Sequence, residues 1–151
     1  MKNEEKRFAL AESKILTDYM FIHRQYYIHL YATKAIELNP KTLKGLPAYC
    51  AGPIANKFSN SNDYGIQIKL ASDNLRNSKN KADEQELEAI DFFKKNNNKK
   101  EYFELIDNKG DPYFQYAYVL KVKKDCLACH SSKDYSTPNS QDNKTEILIP
   151  P

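Results

Sequence analysis

The chain has 151 residues, 28% of them charged, a formal net charge of +3 and a mean hydropathy of −0.77. That length suits one domain with a single core, and the balanced, lysine-rich charge describes a solvated surface and argues against a nucleic-acid partner. With no run of about 18 apolar residues and no charged-apolar-small leader, neither a membrane span nor a signal peptide is expected.

The N-terminal third reads as one long helix. Between Lys2 and Glu37 there is no Gly or Pro, and Phe8, Ile15, Tyr19, Ile22, Tyr26, Leu30 and Thr33 recur mostly three, four or seven apart. A helix of about 35 residues runs roughly 50 Å, longer than a domain of this size, so part of it should project as a dimer seam or as a stalk. Asn39-Pro40 should end it, because the residue before proline is pushed out of the helical region. Residues 1–40 are therefore assigned to the long helix and residues 41–151 to one domain.

A second helix is expected from Leu43 or Pro47 to Phe58, carrying Cys50. After a polar turn, the alternation from Tyr64 to Ser72 predicts a strand with Ile66, Ile68 and Leu70 inward. Asp83 to Lys95 reads as a helix with an acidic first turn and with Leu87, Ile90 and Phe93 or Phe92 inward, broken by Asn96-Asn97-Asn98. Lys100 to Asp107 and Pro112 to Lys123 read as antiparallel strands about the turn Asn108-Lys109-Gly110-Asp111. Tyr113, Tyr116 and Tyr118 on the second strand suggest sheet packing rather than ligation. Beyond a polar loop from Ser131 to Lys144, Glu146 to Ile149 is a candidate final strand. Helices first and strands last give an α+β class.

The most specific signal is Cys126-Leu127-Ala128-Cys129-His130, the Cys-x-x-Cys-His attachment signature of a c-type haem. Two thiols three positions apart can each add to one vinyl group, and the next histidine then offers a neutral imidazole nitrogen to the iron. A thioredoxin-like dithiol has no need of the histidine, and a zinc site needs a fourth ligand that is not local. Haem c, covalently bound, is thus the expected cofactor, with Cys126, Cys129 and His130 holding it. Such attachment takes place outside the cytoplasm, so the chain reads as an extracytoplasmic, periplasmic piece of a longer inner-membrane protein.

Further stretches carry a family likeness: Lys69 to Asn77, Asn80 to Leu87, Tyr113 to Val122, and Cys126 to His130. Together they resemble the haem-binding PAS-like sensor domains found on periplasmic portions of bacterial histidine kinases and chemoreceptors. The resemblance implies a PAS-like antiparallel sheet with a long N-terminal helix and shorter covering helices. It also implies a sensory role, with redox state or a small ligand relayed to a membrane-linked kinase or chemotaxis module.

In that family a cysteine from the helical region binds iron opposite the motif histidine, which points to Cys50. A thiolate there would lower the potential; alternatively Cys50 is a small buried hydrophobe. His29, His23, Met20 or an open, water-bound site are the other candidates for the sixth position. Arg76, with Asn77, Asn80 and Lys81, could neutralise haem propionates, or the asparagines could cap a loop beside a solvated lysine. A homodimer through the N-terminal helix is expected. The alternative function is a small monohaem cytochrome for electron transfer, and a third is an organic ligand in a PAS-like pocket with the haem structural or absent. No Ser/His/Asp set, phosphate loop or carboxylate cluster signals enzymatic turnover.

Overall fold

The computed structural model describes residues 3–73 and 78–121. Among these the order is α1 (Asn3–Ala32), α2 (Pro47–Ser61), α3 (Glu84–Lys95), β1 (Glu101–Asn108) and β2 (Asp111–Tyr118), with 3-10 turns at Leu43–Gly45 and Ser78–Asn80. The class is α+β, and the two strands form one antiparallel sheet.

The first helix opens with Glu4 and Glu5 and closes near His29, the charge order that a helix dipole favours. It ends at Ala32, short of the expected Asn39-Pro40. The Thr33 hydroxyl donates to the His29 carbonyl at 2.8 Å, and Lys34 turns left-handed at φ 59°, so the last carbonyls are satisfied early. Asn39 instead opens the next turn, its Oδ1 accepting from the Lys41 and Thr42 amides at 2.9 and 3.2 Å. At 30 residues α1 is about 45 Å long. The face it lays on the domain carries Ser13 and Thr17, both buried, whereas the apolar stripe of Phe8, Ile15, Tyr19, Ile22 and Tyr26 is 60–71% exposed.

Proline at the first position of α2 needs no amide partner there. Pro53, inside the same helix, leaves the Tyr49 carbonyl without its usual donor. At the other end Asn62 fastens the chain that follows: its Nδ2 donates to the carbonyls of Phe58 at 2.9 Å and Ile66 at 2.7 Å, and its Oδ1 accepts from the Ile66 amide at 2.9 Å.

The expected strand at 64–72 is not one. Ile68 and Leu70 do turn inward, but the segment pairs with side chains rather than with another strand. Ser59 Oγ takes the Ile68 amide at 2.8 Å, and the nearest ladder contact is a lone parallel bridge between Ser72 and Lys81. Alternation reported which side is buried, and these side-chain acceptors removed the need for a partner strand.

The third helix starts from a capping box: the Glu86 amide donates to Asp83 Oδ1 at 2.9 Å and the Asp83 amide to Glu86 Oε2 at 2.7 Å. Its inward face is Glu86, Ala89, Ile90 and Phe93. Leu87, expected inward, is 43% exposed, because it lies about 100° round the helix from Glu86, which occupies the core position instead. Glu86 is fully buried, and Lys69 Nζ meets its Oε2 at 2.6 Å.

The strands pair in a single register from Glu101↔Tyr118 to Asn108↔Asp111, leaving Lys109 and Gly110 as a two-residue loop. Both have positive φ, 54° and 93°, the requirement of a type I′ turn. In β2, Phe114 to Ala117 are all buried, so this strand is covered on both faces. Ala117 and Val119 join the α3 cluster, while Tyr118 meets Phe21 of α1 with ring centroids 6.0 Å apart. Tyr116 is buried, and Tyr113 and Tyr118 half-buried, in keeping with sheet packing. Lys14 of α1 reaches Glu101 of β1 at 3.0 Å and pins the helix across the hairpin.

Candidate functional site

Between α1, the first turns of α2 and the end of β2 lies a cavity of about 190 Å³. Residues at helical spacing on α1, Thr17, Met20, Phe21 and Arg24, form one wall with Tyr19 and His23 at its edge; Pro47, Cys50, Ala51 and Ile54 of α2 form another; Leu70, Tyr118 and Leu120 close it. Most of this lining is hydrocarbon, aromatic ring or thioether. Thr17 and Ala51 on these walls have short side chains, which leave part of the space between the two helices unfilled.

Cys50 is half-buried in the first turns of α2, and its Sγ donates to the Gly45 carbonyl at 3.7 Å. Burial pushes its thiol above the ordinary value, against a smaller opposing pull from its backbone hydrogen bond and from the positive charge of Arg24. At neutral pH it is a protonated thiol on an apolar wall. His23 is flanked by rings, with Tyr27 at 4.7 Å and Tyr19 at 6.3 Å between centroids.

Of the residues that the sequence marks as candidates for an iron ligand, three converge here: Cys50, His23 and Met20. His29 is exposed and does not line the cavity. Arg76 and Asn77, and the motif residues Cys126, Cys129 and His130, lie outside the described residues, as does the candidate strand 146–149. Asn80 accepts the Ser72 amide through its backbone carbonyl at 2.8 Å, and Lys81 is an exposed lysine in the same bridge, which matches the loop reading of both.

Arg24, Phe21 and Tyr118 were missed as site residues. The pattern that could have found Arg24 is Thr17, Met20 or Phe21, Arg24: a row of three- and four-residue steps on the face opposite the apolar stripe. Among the described residues no three His, Cys, Asp or Glu side chains gather, and no helix is long and apolar enough to cross a membrane.

Comparison with known proteins agrees with this architecture. A crystal structure of the cyanobacterial heme-protein Tll0287 superposes with a TM-score of 0.61 at 22% identity, over 87% of this chain and 76% of that one, a likeness of fold. No curated protein matches. The model of the family described as Tll0287-like matches residues 2–146, nearly the whole length, and the chain therefore belongs to the Tll0287-like family.

Proposed function

We propose that this chain is an extracytoplasmic sensory domain carrying a covalently attached c-type haem, with iron bound by His130 on one side and Cys50 on the other. One observation carries the reading: Cys50 faces an apolar cavity whose wall residue Leu120 stands six residues before Cys126. Six residues span at most about 20 Å, so a ring tethered at Cys126 and Cys129 can reach that wall. The fold relative is itself called a heme-protein, which supports the same cofactor here.

The residues present fit such a group. Hydrocarbon and aromatic walls suit a porphyrin face. The cavity offers single donors rather than a ligand cage, as suits an iron that brings four ring nitrogens with it. At about 190 Å³ the hollow is smaller than the ~300–1,000 Å³ of a typical cofactor site, so it would take one part of the ring. Bound, haem iron supplies a one-electron couple whose potential follows its axial ligands. Cys50 would give up its thiol proton on ligation, with the charge of Arg24 on the neighbouring wall favouring the thiolate. His23 stands on the same cavity as the second choice of ligand. Arg76 is assigned to the propionates on charge alone.

The sensory part of the proposal rests on the sequence resemblance and on α1, which supplies both a cavity wall and a long helix leading away from it. In this reading the domain is PAS-like and periplasmic, and its output is a membrane-linked kinase or chemoreceptor module rather than turnover of a substrate.

The test is direct. Protein made with a c-type maturation system should retain its haem through acid-acetone extraction, and Cys50→Ser should alter the low-spin spectrum and raise the midpoint potential. Haem that extracts from matured protein sinks covalent attachment; an unchanged spectrum in the variant moves the sixth position to His23.

A further inference from the structure

The exposed stripe on α1 has its own geometry. Ile15 and Ile22 are seven residues apart, as are Tyr19 and Tyr26, and the steps between the two sets alternate four and three. That is the a/d spacing of a two-helix seam, with Phe8 continuing the isoleucine row one heptad earlier. Their exposures are 69% for Phe8, 71% for Ile15, 67% for Tyr19, 65% for Ile22 and 60% for Tyr26, so the domain's own core covers little of them.

We propose that this stripe docks against the same stripe of a second copy of the chain, in a parallel helix pair that also covers the edge of the cavity. Three observations select a second copy as the occupant. The first is area: with about 150–250 Å² on each aromatic ring, the five residues present on the order of 600 Å² per chain, close to the ~800 Å² per partner of a stable interface. The second is self-complementarity. A strict seven-residue repeat keeps a seam facing an identical helix, and in a parallel pair isoleucine meets isoleucine and tyrosine meets tyrosine.

The third is the flanking chemistry. Asp18 precedes Tyr19 and His23 follows Ile22, the two edge positions that meet across a parallel seam, where the carboxylate can accept from the partner's imidazole. An antiparallel pair would instead bring Asp18 toward the partner's edge row of Ala11, Asp18 and Gln25, and lose that bond.

The seam and the cavity share residues. Tyr19 and His23 line the cavity, yet Tyr19 belongs to the stripe and His23 to its edge. Ring contacts continue from Tyr19 through His23 and Tyr27 to Tyr26, so both seam tyrosines are coupled to the cavity wall. A change of occupancy at the cavity therefore acts on the helix pair without passing through the sheet. This last step rests on the cavity being a ligand site, while the pairing itself does not.

The experiment is sedimentation of the 151-residue chain as purified, with and without haem, from about 1 to 200 µM. The expected mass is twice the 17.5 kDa of one chain at the upper end. Ile15→Glu/Ile22→Glu should weaken association at least tenfold with an unchanged circular dichroism spectrum, since both side chains are exposed. Phe103→Glu, 51% exposed on β1, should leave it unaltered. With the native cysteines replaced by serine, Ile22→Cys should cross-link to itself across the dimer. A monomer throughout the range overturns the pairing whatever else covers the stripe, and so does a dimer indifferent to the double glutamate variant. A dimer without haem upholds the pairing even if haem attachment fails, and spectral loss in Cys50→Ser leaves this result untouched.

Discussion

On the α3 side of the hairpin, Ala71, Ala89, Ile90, Phe93, Ala117 and Val119 pack into one continuous cluster, with Phe92 and Tyr102 sealing its rim at 5.1 Å between rings. On the α1–α2 side the buried set shrinks to Ala55 and Ile68, edged by Leu16, Met20, Phe58 and Ile66, and a hollow stays open beside it. One side is filled and the other is held apart. Dense packing returns dispersion and burial energy, whereas a standing cavity forgoes contacts, so the open side is where the molecule gives up stability to keep room for something else.

Truncations should separate the two sides most sharply. Phe93→Ala, at a 4% exposed position, should cost about 3–5 kcal/mol, and Ile54→Ala, half exposed at the cavity, less than about 1 kcal/mol. Urea unfolding with unchanged slope measures both. Equal losses would mean that the cavity wall is as much a part of the core as α3 is.

The two faces of α1 repeat the contrast on one helix. Ser13 is fully buried and its hydroxyl donates to the Ala9 carbonyl at 2.6 Å, so the helix approaches the domain through small side chains. Ser13→Leu should therefore overpack that contact and cost about 1–3 kcal/mol, while Ile15→Ala should change monomer stability by no more than about 0.5 kcal/mol. Here hydropathy was a poor guide to the intramolecular face. The sequence marked Phe8, Ile15, Tyr19, Ile22 and Tyr26 as one stripe, and they do share an exposed face, but Ser13 and Thr17 carry no apolar signal that would mark the opposite face as buried. Cys50 was legible as the odd cysteine and does face the cavity; Arg24 was not, since its row of neighbours mixes Thr, Met and Phe. The turn of the hairpin was legible to the residue because turn chemistry is local, whereas the second strand, expected to run from Pro112 to Lys123, ends at Tyr118 where its pairing with Glu101 stops. The 64–72 segment was not, because whether an alternating run finds a partner strand is decided elsewhere in the chain.

Glu86 sharpens the comparison by charge. It is fully buried on the filled side, and its Oε1 has no hydrogen-bond partner among the described residues. Burial pushes its carboxyl above the ordinary 4.5, more than the Lys69 and Asp83 hydrogen bonds pull it down. The folded state thus binds this proton more tightly than the unfolded chain. The resulting stability is complete below pH 4.5 and lost as pH rises through the raised value. Glu86→Gln, which retains a capping-box acceptor, should remove that component of the pH dependence and stay within about 1 kcal/mol of the wild type at pH 7. Lys69→Met should cost more at pH 7 than at pH 4, since it strips the buried carboxylate of its cation. Unfolding curves at both pH values decide this, and a Glu86→Gln variant with the wild-type pH slope would show that the carboxylate is neutralised by other means.

The smallest expected effect lies at the hairpin tip, at the other end of the ladder from Tyr118. Lys109 adopts φ 54° at the first loop position of a type I′ turn, where a lysine gains nothing from its side chain and asparagine tolerates the left-handed region better. The loop already has its glycine at the second position, and the Gly110 amide donates to Asp107 Oδ1 at 2.9 Å, so the tip needs no rebuilding. Lys109→Asn should add about 0.5 kcal/mol, read as a rise of roughly 1–2 °C in the melting temperature. Lys109→Val, with a branched side chain at positive φ, should lower it by more than that. Because the tip lies at the opposite end of the ladder from Tyr118, the strand residue that lines the cavity, neither substitution should move the spectrum or the association state of the protein. If Lys109→Asn altered either one, the hairpin tip would be coupled to the cavity through β2, whose other end carries Tyr118.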